Sequence, residues 1–466
     1  MSEHSELISR IEAYCRREEI AESTFGRRAV NDGKFVGRLR DGKRVTTATI
    51  ARVEKFLASQ GRKTDETVTY DPRLGRTPPP PAPAISGEAG EKEGQQHFRF
   101  YDNRQKYLLF VNTCSEKWAV ADRVGQELAR LQVRPPALRV FDAGIGDGTV
   151  LTRVMRHMHQ LYPTVPFYVV GKEISLEDVR LTLDKLPDRF NEHPAMVVVI
   201  TNMFYAEAPW LMPRSPENAA RLNWREISLD GNSAHDFEEQ ISALEPEIAE
   251  DWQVKTSPQS GNPLYVRPSV LILYRSDHKL LLDNIIPRPG LAPHDYNLII
   301  ASQPFRLRAS LELKVKRVLA PLARALAPGG RMLTIHSHGN DPGLEIIRRV
   351  WKDENPFRHN RQTLLNALKK ELGRDGRDLN FTAASDKRAL FRYVMHTLPT
   401  EIGSSIGTST LMAAWNAAVY VAQIEDERLE DVMAEGWYLD ATRDILKEHN
   451  GLWFLDESFV VSRRRD

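Results

Sequence analysis

The stretch Asp142-Ala-Gly-Ile-Gly-Asp-Gly148 sets three glycines at alternate positions directly after a short apolar run, Leu138-Arg-Val-Phe-Asp142. Glycines so placed let backbone N–H groups approach a ligand without Cβ interference, at the positive end of the helix that opens next. Gly144, Gly146 and Gly148 are therefore expected to cradle a polar ligand, with Asp142 and Asp147 as flanking acceptors. Glu173 ends a second apolar run, Val169-Val-Gly-Lys-Glu173. A carboxylate there can accept two hydrogen bonds from a diol. Further polar residues follow later apolar runs: Asn202 with Met203, Phe204 and Tyr205, then Ser302-Gln-Pro-Phe305, then His336 and His338. The two histidines stand two apart, on one side of an extended strand, and His336 could serve as a general base or orient an acceptor. With only Asp341 as a nearby carboxylate they make a poor metal site, and no metal is expected.

A dinucleotide fingerprint reads G-x-G-x-x-G, but counted from Gly144 the third glycine arrives one residue early. That spacing, behind an acidic residue, resembles motif I of the class I S-adenosylmethionine-dependent methyltransferases. Glu173 stands where that family places a carboxylate for the ribose hydroxyls. Leu326-Ala-Pro-Gly-Gly-Arg-Met332 resembles the turn into its fifth strand. The resemblance covers roughly 138–340. It implies a Rossmann-like methyltransferase fold, with S-adenosylmethionine held by Asp142, Gly144, Gly146, Asp147, Gly148, Glu173 and Asn202. Ser302-Gln-Pro-Phe305 partly resembles motif IV of amino-methyltransferases, in which a polar side chain and the following carbonyl accept from a target amine and an aromatic ring stacks on it. The resemblance thus marks Ser302 and Phe305 as catalytic candidates, beside His336. Gln303 stands where the family has a proline, and Ile145 where it has a small or polar residue.

Strand patterns alternate with helical ones around these motifs. Leu138–Ala143, Phe167–Gly171, Met196–Ile200, Tyr296–Ala301 and Arg331–Ile335 read as buried strands, with helices predicted over about 150–161, from about 176 and over 311–326. Ser458–Ser462 reads as a last strand. The pattern predicts an α/β domain over 98–466, with a doubly wound, mostly parallel sheet. Segments outside the shared fold are a helical cap at 101–131, ahead of the first strand, and insertions at about 208–293 and 387–447 that are expected to cover the site. The Pro-rich stretch 63–97 reads as a flexible linker. Ahead of it, 1–62 reads as a small all-α domain whose Ser23–Val30, Asn31-Asp-Gly33 and Lys34–Arg40 form a helix–turn–helix. This segment resembles the lambda-repressor-like DNA-binding domains. That resemblance places Lys34, Arg38 and Arg40 near DNA, although 13 Lys/Arg against 9 Asp/Glu over 1–62 is only modestly basic.

Over all 466 residues the formal net charge is +1, so no whole-chain field draws the protein to nucleic acid or an anionic membrane. No apolar run approaches a membrane span. The two cysteines, Cys15 and Cys114, lie far apart and fit a reducing, cytoplasmic compartment. The expected activity is methyl transfer to an unidentified acceptor, a small molecule or a protein. The alternatives are a nucleic-acid base methyltransferase guided by the helix–turn–helix, and a non-catalytic regulator that senses S-adenosylmethionine.

Overall fold

The computed structural model describes residues 5–17, 21–30, 32, 34–40, 49, 50, 53 and 57, then 104–258, 263–398 and 406–465. The linker expected over 63–97 lies outside the described residues. The chain divides into two compact units, Met1–Glu91 and Lys92–Asp466.

In the first unit, α1 (Ser5–Arg17), α2 (Glu22–Val30) and α3 (Phe35–Arg40) pack on one small core. Leu7, Ile11 and Tyr14 fall on one face of α1 at helical spacing and meet Phe25, Phe35, Val36 and Leu39. Between α2 and α3, the Asp32 carboxylate accepts from the Lys34 backbone N–H at 2.9 Å, which fixes the entry to α3.

The second unit is built on a ten-stranded sheet: β1 (Leu138–Asp142), β2 (Phe167–Lys172), β3 (Met196–Thr201), β4 (Asn223–Leu229), β7 (Ser269–Arg275), β8 (Tyr296–Ser302), β9 (Leu326–Ser337), β10 (Leu379–Thr382), β11 (Leu390–Val394) and β12 (Trp453–Arg463). Strands β5 (Val254–Thr256) and β6 (Pro263–Tyr265) form a separate two-stranded ribbon. The order across the large sheet is β10-β12-β9-β8-β1-β2-β3-β7-β4, with β11 on β12. The five central strands, β9 to β3, run parallel. They are buried on both faces, which is why they read as near-continuous apolar runs. On one face Val120, Val124, Leu151, Val154 and Val179 from flanking helices meet Val140, Val169 and Val198. On the other, Val318, Leu322, Leu364 and Leu368 meet Phe141, Val170, Val199 and Ile299. The expected α/β fold with a mostly parallel sheet is present.

Three elements differ from expectation. The segment 208–293, expected to cover the site, lends Pro263 to the cavity wall and also gives the sheet two strands: β7 runs antiparallel to β3, and β4 runs parallel to β7. The segment 387–447 contains β11 as well as helices. The helix expected over 311–326 is broken by a π-helical stretch at Lys314–Leu319, and β9 already begins at Leu326. There the Pro328-Gly-Gly turn appears as a register shift against β8.

A third core forms the cap. The N-terminal helices Arg104–Thr113 and Glu116–Leu128 meet the distant helices Thr408–Ala422 and Tyr438–Glu448 through Phe110, Trp415, Val419, Tyr438 and Ile445. Chain order across the sheet reverses between β1 and β8, where open α/β sheets leave a crevice beyond their carboxyl ends.

Candidate active site

At the end of β1, the Ala143 N–H still donates to the Ile300 carbonyl of β8 at 2.8 Å, and then the chain turns away. Gly146 (φ +52°) and Gly148 (φ +77°) adopt the left-handed conformation that the turn requires. Gly148 caps the helix Thr149–Leu161, and a Cβ on it would lie 2.9 Å from Thr182 Cα. The Glu173 carboxylate holds the turn against the end of β2. It accepts from the N–H groups of Gly146 at 3.0 Å, Ile174 at 2.8 Å and Ser175 at 2.9 Å. A carboxylate has about four lone-pair sites, so Glu173 keeps capacity for a ligand hydroxyl.

Asp142 and Asp147 support the turn from behind. Asp142 is buried and accepts from the Gly144 N–H at 3.2 Å. Burial pushes its carboxyl up to about 7, against the opposing Gly144 hydrogen bond. For Asp147 burial acts the same way, but Lys117, Thr149 and Lys185 together hold its carboxyl below the usual range. The Lys185 ammonium lies 3.2 Å from Asp147 Oδ2, and Tyr107 Oη donates to Oδ1 at 3.2 Å.

The turn in front of them borders a cavity of about 660 Å³. One end is walled by Gly144, Gly146, Glu173 and Ile174, with Tyr107, Lys117 and Tyr420 of the cap above them. Burial disfavours the Lys117 ammonium, yet Glu116 at 3.1 Å leads the charges that keep it protonated. The other end is walled by Lys172, Tyr205, Ser302, Gln303, Pro304 and Phe305. Here the backbone leaves β8 through Gln303 at φ +46°. Its side-chain amide is pinned: Nε2 donates to Ser337 Oγ at 3.1 Å and Asp456 Oδ1 at 3.3 Å, and Oε1 accepts from the Ser337 N–H at 3.3 Å. Tyr205 Oη donates to the Pro304 carbonyl at 3.0 Å. Beneath the Phe305 ring, 5.0 Å from its centroid, sits the Lys314 ammonium, whose pKa burial pushes down to about 8.

Five of the expected residues therefore line one cavity: Gly144, Gly146, Glu173, Ser302 and Phe305. Asp142, Asp147 and Gly148 stand behind them. Two expectations are corrected. Asn202 is 1% exposed and spent on structure. Its amide donates to the carbonyls of Asp251 at 3.2 Å and Arg267 at 2.9 Å and accepts from the Ser269 N–H at 2.8 Å, tying the end of β3 to β7. His336 is 3% exposed and does not line the cavity. Strand β12 packs against β9 and sets Glu457 opposite it, with Nε2 3.2 Å from the carboxylate. Burial pushes its imidazole down to about 4, so it stays neutral. His338 instead lines a smaller, separate cavity with Asn360 and Arg361.

In the first unit Lys34 is exposed, Arg38 pairs with Asp32, and Arg40 pairs with Glu12 at 2.8 Å and Glu22 at 2.6 Å. Sequence reasoning passed over Lys172, Gln423 and Glu425 as lining residues. Strand alternation held a signal for the first, because it directly precedes Glu173 and must face the opposite side. The others come from the cap, far away in sequence.

No protein-family model matches the chain, and no curated protein matches it. Among solved structures it is similar to a loganic acid methyltransferase with SAH, at 10% identity over 80% of this chain and 99% of that one, with a TM-score of 0.31. It is also similar to a geranyl diphosphate methyltransferase in complex with GPP and sinefungin, at 10% identity over 73% and 78%, with a TM-score of 0.29. A third is PKMT2 from Rickettsia typhi in complex with AdoHcy, at 11% identity over 74% and 53%, with a TM-score of 0.26. At such identities and scores, function has to be read from the site's own geometry.

Proposed function

We propose that this chain is a methyltransferase that binds S-adenosylmethionine at the glycine turn and transfers its methyl group to an acceptor entering beside Ser302–Phe305. One observation carries the reading: the Gly146 N–H and the Glu173 carboxylate are joined at 3.0 Å on the wall of a cavity that the Ser302 turn also lines. The sheet order adds support. Dinucleotide-binding sheets run 3-2-1-4-5-6, whereas here the antiparallel β12 stands between β9 and β10.

The bound donor supplies an electrophilic methyl on a sulfonium. The chain's part is to hold and orient. The one remaining lone-pair site of Glu173 suits a ribose hydroxyl, and Lys117, beside Glu116 at 3.1 Å, supplies a cation for an amino-acid carboxylate. Tyr107 and Tyr420, with ring centroids 5.9 Å apart, give this end an aromatic wall. At the other end, Ser302 Oγ can accept from a donor on the acceptor, and Phe305 offers an apolar face. His336 is buried off the cavity, facing Glu457 of the neighbouring strand β12, so the acceptor must present a group that is nucleophilic without help from that imidazole.

No described helix is long and apolar enough to cross a membrane. The unbonded, buried Cys15 and Cys114 support a reducing, cytoplasmic setting. A DNA-directed reading of the first unit meets an electrostatic obstacle, because phosphates would compete with Glu12, Glu22 and Asp32 for Arg40 and Arg38. We therefore favour a small molecule or a protein side chain as acceptor.

Calorimetry with S-adenosylhomocysteine tests the reading. The full chain should bind it, and Gly146→Val and Glu173→Ala should each weaken binding by about tenfold or more, a loss of about 1.4 kcal/mol. Undiminished affinity in both variants would remove the cofactor assignment.

A further inference from the structure

Successive residues of a strand point to opposite faces, so the end of β2 sends Glu173 and Lys172 to different halves of the cavity. Glu173 turns to the glycine turn. Lys172 lies on the face of Tyr168 and Val170, the face whose core also holds Phe305 and Tyr205. Its ammonium sits 5.2 Å from the centroid of the Tyr205 ring, on the cavity wall. The same cavity carries apolar side chains, Tyr205, Pro304, Phe305, Leu313 and Val318, beside charged ones that include Glu173, Arg306 and Arg308.

Among the described residues, no carboxylate comes within ion-pair distance of Lys172, and the acids of the cavity are otherwise engaged. Glu173 has both oxygens on backbone N–H groups. Glu425 faces Arg428 at 3.3 Å and Arg308 at 3.7 Å. Glu177 and Asp178 have interactions of their own. Arg308, the neighbouring guanidinium, donates to the Ala422 carbonyl at 3.0 Å and to Glu354 at 2.8 Å. Lys172 is thus an ammonium set against the Tyr205 ring on the cavity wall, with no carboxylate at ion-pair distance among the described residues. Burial pushes its pKa down, with Glu173 opposing. An isolated buried charge is costly, and a ligand anion at hydrogen-bond distance would offset that cost.

We propose that Lys172 anchors a carboxylate of the methyl acceptor, which makes the acceptor an organic acid with an apolar or aromatic body. The inference rests on the methyltransferase reading for the word acceptor, but the anion site itself rests on the cavity. One other source of a carboxylate exists, the amino-acid end of the donor. Lys117 stands at the glycine turn for that group, and Lys172 is on the opposite face of the sheet.

The test uses the full chain saturated with S-adenosylhomocysteine and compares phenylacetate and hexanoate with phenylacetamide and hexanamide, by calorimetry or ligand-observed NMR. The acids should bind about tenfold more tightly than the matching amides, as expected for a charge-assisted contact against a neutral one. Lys172→Met should erase that preference, Lys172→Arg should keep part of it, and both should hold S-adenosylhomocysteine within about twofold of the parent. Equal binding of acids and amides by the parent protein would overturn the proposal, and that comparison needs no variant to fold. So would a preference that survives Lys172→Met. Loss of S-adenosylhomocysteine affinity in Lys172→Met with the acid preference intact would assign the lysine to the donor, against the proposal. Failure of the parent to bind S-adenosylhomocysteine would strike the methyltransferase reading instead, and the acid–amide comparison run without it still decides Lys172.

Discussion

Asp142 shows how a single buried carboxyl ties the glycine turn to pH. In an unfolded chain an aspartate titrates near about 3.9, whereas burial behind the turn pushes Asp142 up to about 7. Between these values the folded state binds more protons than the unfolded one. Stability from this group is therefore full at low pH, falls as pH rises through the window from about 4 to about 7, and is flat above it. Asp142→Asn removes the dependence, and its amide oxygen can still accept from the Gly144 N–H. Thermal melts should show the Tm of the variant gaining on the parent between pH 5 and pH 8, by roughly a few degrees for a chain of this size. A gap that stays constant with pH would mean that Asp142 is ionised throughout. At the same scale, the glycines and Glu173 were legible because their chemistry is local: a turn that needs positive φ can be read from five residues. Asn202 and His336 were misplaced because their surroundings are not local. Ser269 and Glu457, brought in by strands far along the chain, decide what each side chain meets.

The turn after β8 shows what an element adds to a motif. Gln303 occupies a left-handed position that a proline cannot adopt, and its amide is clamped by Ser337 of β9 and Asp456 of β12. The side chain thus sets the direction in which Ser302 and Phe305 leave the strand. Gln303→Ala keeps the backbone volume but releases the clamp. Turnover should fall by about tenfold or more while S-adenosylhomocysteine affinity stays within about twofold, since only positioning for the reaction is lost. A parallel loss of both would make the residue a general prop of the cavity. Most of the parallel sheet could be read in advance, because strands buried on both faces announce themselves as Val/Ile runs. Strands β4 and β7 could not be placed. Ser269–Arg275 has the same apolar signature, but sequence does not say which open edge a strand will join or in which direction.

At the scale of the whole chain, the donor and acceptor walls and the cap all come from the unit Lys92–Asp466. A chain that starts at Lys92 should therefore bind S-adenosylhomocysteine with an affinity within about twofold of the full protein, measured by the same calorimetry. Loss of binding would show that the first unit contributes to the donor site. The cap was legible only as helices. Its assembly from 104–128 and 408–448, through Phe110, Trp415 and Tyr438, depends on contacts three hundred residues apart. The strands added beyond β3 have a consequence for solubility. Alone, the edge would be Met196-Val-Val-Val-Ile-Thr201, a buried, uncharged, β-branched segment of the kind that templates cross-β stacking when its hydrogen bonds are open. β7 occupies those bonds, but its middle, Val270-Leu-Ile-Leu273, is as apolar as the segment it covers. β4 then ends the sheet with Asn223, Arg225 and Glu226, charged and amide side chains on a partly exposed strand. The segment 208–293 thus does what edge protection does elsewhere: it moves the open rim of the sheet from a sequence prone to aggregate to one that resists it.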